Sequence, residues 1–159
     1  MRGWKLYNRG ERVLVSACLV GIKCRFDAKG KRDHAVLKAL KGKLFIPVCP
    51  EQLGGLPTPR PTAAIEGGDG VLVLEGKGRV INERGEDVTE NFLRGAQQTL
   101  NIARLTGTKV AILKERSPSC GVEKIIRDGQ VLKGSGVTAA LLLREGLEVM
   151  SEEKIRRQL

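Results

Sequence analysis

The sequence predicts an α/β fold with three layers: a mostly parallel, Rossmann-like sheet carrying helices on both faces, with a small β-ribbon beside it. Two observations predict it. Short apolar runs recur at residues 13–17, 44–48, 110–113 and 147–150, and unbroken runs of this kind mark strands buried on both faces of a parallel sheet. Segments with helical periodicity lie between them, and such alternation is the pattern of βαβ units. A third observation describes the interior. Hydrophobic residues make up 41% of the chain and aromatics only 3%, with twenty glycines, so the core is aliphatic and the turns are many.

The elements follow in order. Residues 13–17 read as a buried strand that ends at Cys18, and 19–31 as a loop containing Gly21 and Gly30. Residues 33–41 fit a helix capped by Asp33, with Val36, Leu37 and Leu40 on one face and Gly42 as its stop. Residues 44–48 read as a second strand, ending at Cys49. The stretch 49–61 holds four prolines after Cys49, at 50, 57, 59 and 61, with Gly54 and Gly55 between them. No helix or central strand is expected through it, because proline lacks an N–H and fixes φ. We read it as a fixed loop folded over a site. Residues 71–74 and 79–81 suggest the β-ribbon. Residues 88–106 form the longest helical signal, with Phe92, Ala96, Leu100 and Ala103 on one face and Asp87 or Thr89 as cap. Strand 110–113 leads into Lys114-Glu-Arg-Ser-Pro-Ser-Cys-Gly121, where Pro118 and Gly121 enforce a tight turn. Asp128-Gly129 centres a hairpin over 125–132. Residues 136–145 read as a helix, 147–150 as a strand, and Ser151 as the cap of a last short helix.

A length of 159 residues suits one domain, 1–159, with a basic leader at 1–12. No apolar run is long enough to span a membrane, so no membrane partner is expected. The leader lacks the apolar core and cleavage site of a secretion signal, and a cytoplasmic location is the default. Twenty-eight Lys and Arg against 18 Asp and Glu give a charge of +10. That excess favours phosphorylated or polyanionic partners. The basic residues are scattered, however, and a charged surface also serves solubility.

The four cysteines are Cys18, Cys24, Cys49 and Cys120. In a reducing compartment ligation or catalysis explains them better than disulfides. Taken singly, each could be a small buried hydrophobe. Three of them, Cys18, Cys49 and Cys120, follow predicted strands, and ligands of open α/β sheets bind beyond the carboxyl ends of the strands. Three thiols thus converge on one sheet edge. No Cys-x-x-Cys pair supports a zinc finger or a thioredoxin-like redox pair. Arg25 and Arg127 each fall one residue too late for a Cys-x5-Arg phosphatase loop. The only histidine, His34, lies in a predicted helix and reads as a surface residue. An iron–sulfur cluster remains compatible, since its thiolates need not be adjacent in sequence.

Residues 16–27 (Ser-Ala-Cys-Leu-Val-Gly-Ile-Lys-Cys-Arg-Phe-Asp) resemble the opening of the thiouracil desulfurase (desulfidase) family. Residues 47–61 (Pro-Val-Cys-Pro-Glu-Gln-Leu-Gly-Gly-Leu-Pro-Thr-Pro-Arg-Pro) and 114–121 are similar to its two other signatures, and 136–143 to its penultimate helix. The resemblance extends from Val13 to Met150. It implies a [4Fe-4S] cluster ligated by three cysteines, matching Cys18, Cys49 and Cys120, with one iron left to take the sulfur of a thiolated pyrimidine. Cys24 matches a family position too, but lies inside a loop. The resemblance also implies that Glu51 is the acid/base and Ser117 a functional serine. Ser119 is an equally reachable hydroxyl, and Arg60 a candidate substrate contact, although Arg60, Glu115 and Arg116 each read more simply as surface charges.

The expected activity is hydrolytic, non-redox removal of sulfur as sulfide from 2-thiouracil, 4-thiouracil or 4-thiouridine nucleotides. The expected partner is a small thiolated nucleobase or nucleotide, with tRNA as a further candidate. The alternatives are a non-catalytic metal- or RNA-binding module and a thiol sulfur-carrier protein.

Overall fold

The structure, a computed structural model, describes residues 10–158. The leader expected at 1–12 therefore falls mostly outside the described residues. In chain order the elements are β1 (Arg12–Ser16), α1 (His34–Leu40), β2 (Leu44–Val48), α2 (Pro50–Leu53), β3 (Ala63–Glu66), α3 (Gly70–Leu74), β4 (Arg79–Asn82), α4 (Thr89–Thr106), β5 (Val110–Leu113), β6 (Lys124–Arg127), β7 (Gln130–Lys133), α5 (Val137–Arg144), β8 (Glu148–Ser151) and α6 (Glu152–Gln158).

The four predicted apolar runs become one sheet in the order β2-β1-β5-β8, parallel throughout. Alternate residues of its central strands feed two cores. Leu14, Ala111 and Leu113 face a cluster built with Phe92, Ala96 and Leu100 of α4 and with α5. Val13, Val15, Val110 and Ile112 face a second, built with Val36 and Leu40 of α1 and Ile155 of α6. Val13, Leu14, Val15, Ile112 and Leu113 are fully buried, and each such side chain stabilises the fold by about 1.5–3 kcal/mol through removal from water. This is the helices-on-both-faces arrangement that unbroken apolar strands require. Two antiparallel ribbons, β3–β4 and β6–β7, flank the sheet.

Two expectations change. Residues 71–74 are helical, not a ribbon strand. Asp69 caps α3 through its Oδ1, which accepts the Val71 N–H at 3.1 Å, and β4 pairs instead with β3. Four apolar residues fit either state, and only the cap decides between them. The stretch 49–61 does contain a helix, the single turn α2. Pro50 occupies its first position, where an N–H would have no intrahelical partner anyway. The α4 helix begins at Thr89, where Asp87 Oδ1 accepts the Thr89 N–H at 2.9 Å while the Thr89 hydroxyl accepts the Val80 N–H. The Asp33 and Ser151 caps form as expected, accepting from the Val36 and Lys154 N–H groups. His34 opens α1 and is exposed. No helix among the described residues is long and apolar enough to cross a membrane.

Candidate active site

The chain goes from β1 outward to β2, then returns to the other side of β1 with β5. The connections therefore diverge between β1 and β5, the position where open α/β sheets bind ligands. Beyond the carboxyl ends of these strands lies a cavity of about 890 Å³. Cys18, in the 3₁₀ turn that follows β1, Cys24 in the next loop, Cys49 directly after β2 and Cys120 in the loop after β5 all line it.

The loop after β5 is shaped by buried polar contacts. Arg116 adopts φ +69°, an unusual backbone for a non-glycine residue, and turns the chain out of the strand. Ser117 Oγ accepts the Ser119 and Cys120 N–H groups at 3.2 and 3.1 Å, and the Gly121 N–H closes back on the Ser117 carbonyl at 2.9 Å. Glu115 is 1% exposed. Its Oε1 accepts the N–H groups of Val122, Glu123 and Lys124 at 2.6, 2.9 and 3.0 Å. Its own N–H donates to Oε2 of buried Glu152 at 2.7 Å, and Lys114 pairs with Glu152 Oε1 at 3.1 Å. The expectation of a surface Glu115 is thus overturned, because its carboxylate replaces water as acceptor for a run of turn amides. At the end of β1, the buried Ser16 Oγ accepts the Lys114 N–H at 2.9 Å and hydrogen-bonds the Cys120 thiol.

A second cluster comes from α2. Helix α2 presents Glu51, whose Oε1 receives Arg60 Nε at 3.0 Å and whose Oε2 accepts from Ser119 Oγ at 2.9 Å. Arg60 also donates through Nη1 to the Pro57 carbonyl and Thr58 Oγ1. Its side chain is 4% exposed, so the expected surface role of Arg60 is corrected: the guanidinium is committed to holding Glu51. Arg116, expected as a surface charge, is exposed but pairs with Glu153 at 3.1 Å. Ser119 Oγ lies 3.0 Å from Ser117 Oγ and 3.8 Å from Cys120 Sγ. A continuous chain of contacts therefore runs Arg60, Glu51, Ser119, Cys120, and joins the loops after β2 and β5.

The thiols are coupled as well. Cys24 hydrogen-bonds both Cys18 and Cys49; the Cys18 contact is the leading cause that raises its pKa to about 11. The Cys24 contact and burial push Cys49 further up. Burial raises Cys120 to about 12, with Ser16 acting in the opposite direction. All four are free thiols. Among the described residues no group of three His, Cys, Asp or Glu side chains is arranged as a single-ion site. Four soft sulfur donors around a roomy cavity suit a thiolate-ligated multi-iron cluster in both chemistry and space.

The structure brings together every candidate residue read from the sequence: Cys18, Cys49, Cys120, Glu51, Ser117, Ser119 and Arg60 line one cavity. The anchoring roles of Ser16 and Glu115, and the contacts of Cys24, were missed. Their partners lie far away in sequence, and no local pattern announces them. Fold and site together define an α/β protein with a thiol-lined switch-point cavity and an adjoining carboxylate–hydroxyl pair. The chain belongs to the 2-thiouracil desulfurase family, whose pattern it matches over residues 13–154. It is 43% identical over 146 residues to the uncharacterized protein YbbK of Bacillus subtilis (strain 168), covering 90% of this chain and 97% of that one. It also superposes on a solved structure described as a [4Fe-4S]-dependent thiouracil desulfidase, TudS, with a TM-score of 0.79 and 39% identity, over 93% of this chain and 95% of that one.

Proposed function

We propose that this protein is a [4Fe-4S]-dependent desulfidase that hydrolyses thiolated pyrimidines, 2-thiouracil among them, and releases the sulfur as sulfide. One observation carries the reading: Glu51 of α2 and Cys120 of the loop after β5 meet through Ser119 Oγ, 2.9 Å from the carboxylate and 3.8 Å from the thiol. The similarity to a protein described as a [4Fe-4S]-dependent thiouracil desulfidase supports it.

In this reading Cys18, Cys49 and Cys120 hold the cluster. When bound, it supplies an iron without a protein thiolate, a Lewis acid suited to a soft thiocarbonyl sulfur. The net reaction exchanges C=S and water for C=O and H₂S. Glu51 takes the proton from the water that adds to the ring carbon and returns it to the leaving group. Arg60 fixes the orientation of that carboxylate. Ser119 and Ser117, linked at 3.0 Å, hold the water and ring by hydrogen bonds. Cys24 stays outside the ligand set as a thiol neighbour of Cys18 and Cys49.

The test is an anaerobic preparation assayed for iron and for sulfide from 2-thiouracil and 4-thiouridine monophosphate. About four irons per chain and release of sulfide are expected. Iron-free protein that becomes persulfidated would favour a sulfur carrier instead. Glu51→Ala with a full cluster and unaltered turnover would sink the acid/base role.

A further inference from the structure

We infer that Phe26 is the platform on which the planar substrate ring stacks, which makes the site selective for flat heteroaromatic thiocarbonyls over saturated ones. The inference rests on the desulfidase reading and adds the group that recognises the ring. The chain has five aromatic residues, three Phe with one Trp and one Tyr, and Trp4 and Tyr7 lie outside the described residues. Phe92 is buried in the α4 core at 1% exposure, and Phe45 lies on the edge strand β2 away from the cavity. Phe26 is therefore the one aromatic among the described residues that lines the cavity, and it is 37% exposed. A large apolar ring left open beside polar catalytic groups is the usual form of a ligand contact.

The backbone that carries the ring is also held in place. The Arg60 N–H donates to the Phe26 carbonyl at 2.9 Å, which ties this loop to the residue that orients Glu51. Two further backbone bonds, Ala28 N–H to the Arg25 carbonyl and Arg25 N–H to the Lys29 carbonyl, close the turn around it. The Arg25 guanidinium lies 5.4 Å from the ring centroid. It lies over one face of the ring, so stacking falls to the opposite face. The cavity wall also carries the apolar residues Ala63, Ala64, Ile81 and Ile126, which offer contact without competing hydrogen bonds. A pyrimidine presents a π face whatever its exocyclic groups, so stacking selects the ring while leaving its sulfur and nitrogens for polar recognition.

Stopped-flow binding to the anaerobically prepared holoprotein, read within a single turnover, tests this with two ligands, 2-thiouracil and 5,6-dihydro-2-thiouracil, which share polar groups but differ in the flat π face. The wild type is expected to prefer 2-thiouracil. Phe26→Leu should weaken its binding by about tenfold while leaving the dihydro ligand unchanged, and Phe26→Tyr should restore the preference. The readout is a ratio of affinities within one preparation, so partial misfolding of a variant cancels. An unchanged ratio in Phe26→Leu, or equal losses for both ligands, overturns the inference. Sulfide is measured in parallel. A wild type that binds 2-thiouracil with this preference yet frees no sulfide overturns the desulfidase reading and leaves the platform standing.

Discussion

Glu115 braces the loop that carries Cys120. Three consecutive amides end on one of its oxygens, and those amides belong to the turn that closes the Cys120 loop. Removing a buried acceptor leaves its donors unsatisfied, which costs more than the net value of the bonds themselves. Glu115→Ala is expected to destabilise the iron-free protein by about 1–3 kcal/mol for each amide left without a partner. Glu115→Gln should cost less, since its carbonyl can still accept. Urea unfolding of both variants checks the order. The sequence places Glu115 two residues past β5, where a carboxylate reads as solvated, because its partners at 122–124 come into range only when the Ser117–Gly121 turn is made. Ser117 was legible for the opposite reason. Its partners are the next residues along the chain, and Ser-Pro-Ser already describes their geometry.

At the scale of elements, the position of Glu51 depends on how α2 meets α4. The two backbones touch: a Cβ at Gly95 would lie 1.9 Å from the Pro50 carbonyl oxygen, and one at Gly54 would lie 2.0 Å from that of Asn91. Rigid backbone on both sides leaves little room to relax. Gly95→Ala is expected to cost about 1–3 kcal/mol by overpacking and to displace Glu51 from Ser119. Turnover should then fall further than iron content, and parallel measurement of both checks it. The loop after β5 is also tied to α6 by charge. Glu153 of α6 pairs with Lys124 at 2.9 Å and Arg116 at 3.1 Å. The Lys124 hydrogen bond, the largest influence, holds the Glu153 carboxyl below the usual carboxylate range. A depressed folded-state pKa means stability that is present above the unfolded value, about 4.3, and lost as pH falls through the folded one. Melting curves should therefore show Glu153→Gln below the wild type at pH 7 by about 1 kcal/mol or less, with the gap closing below pH 4. Elements with long or well-capped signals, such as α4 and the four sheet strands, were legible from periodicity. Of the ribbon, the strand at 79–82 was legible and its partner was not, because residues 71–74 are apolar in either state and Asp69 decides between them.

For the molecule as a whole, parallel topology explains why so much of the site could be read from the sequence. All four sheet strands end on one edge, so residues following predicted strands had to share a cavity, and Cys18, Cys49 and Cys120 do. What topology could not provide is the cross-links between those loops, Ser16 to Cys120 and Arg60 through Glu51 to Ser119, which depend on side-chain reach in three dimensions. The proposed ligation would tie together the loops after β1, β2 and β5, whose thiols lie 31 and 71 residues apart along the chain (18 to 49, 49 to 120). A group that binds only the folded arrangement of its ligands adds its binding free energy to stability. Chelating the iron should therefore lower the melting temperature, by about 2–4 °C for each kcal/mol lost in a chain of this size. Cys120→Ser should lack that increment before any chelator is added, since its loop would no longer be tied to the other two. If loaded and stripped wild-type protein melt together, the cluster does not bridge the three loops, and the assignment of Cys18, Cys49 and Cys120 as its ligands fails.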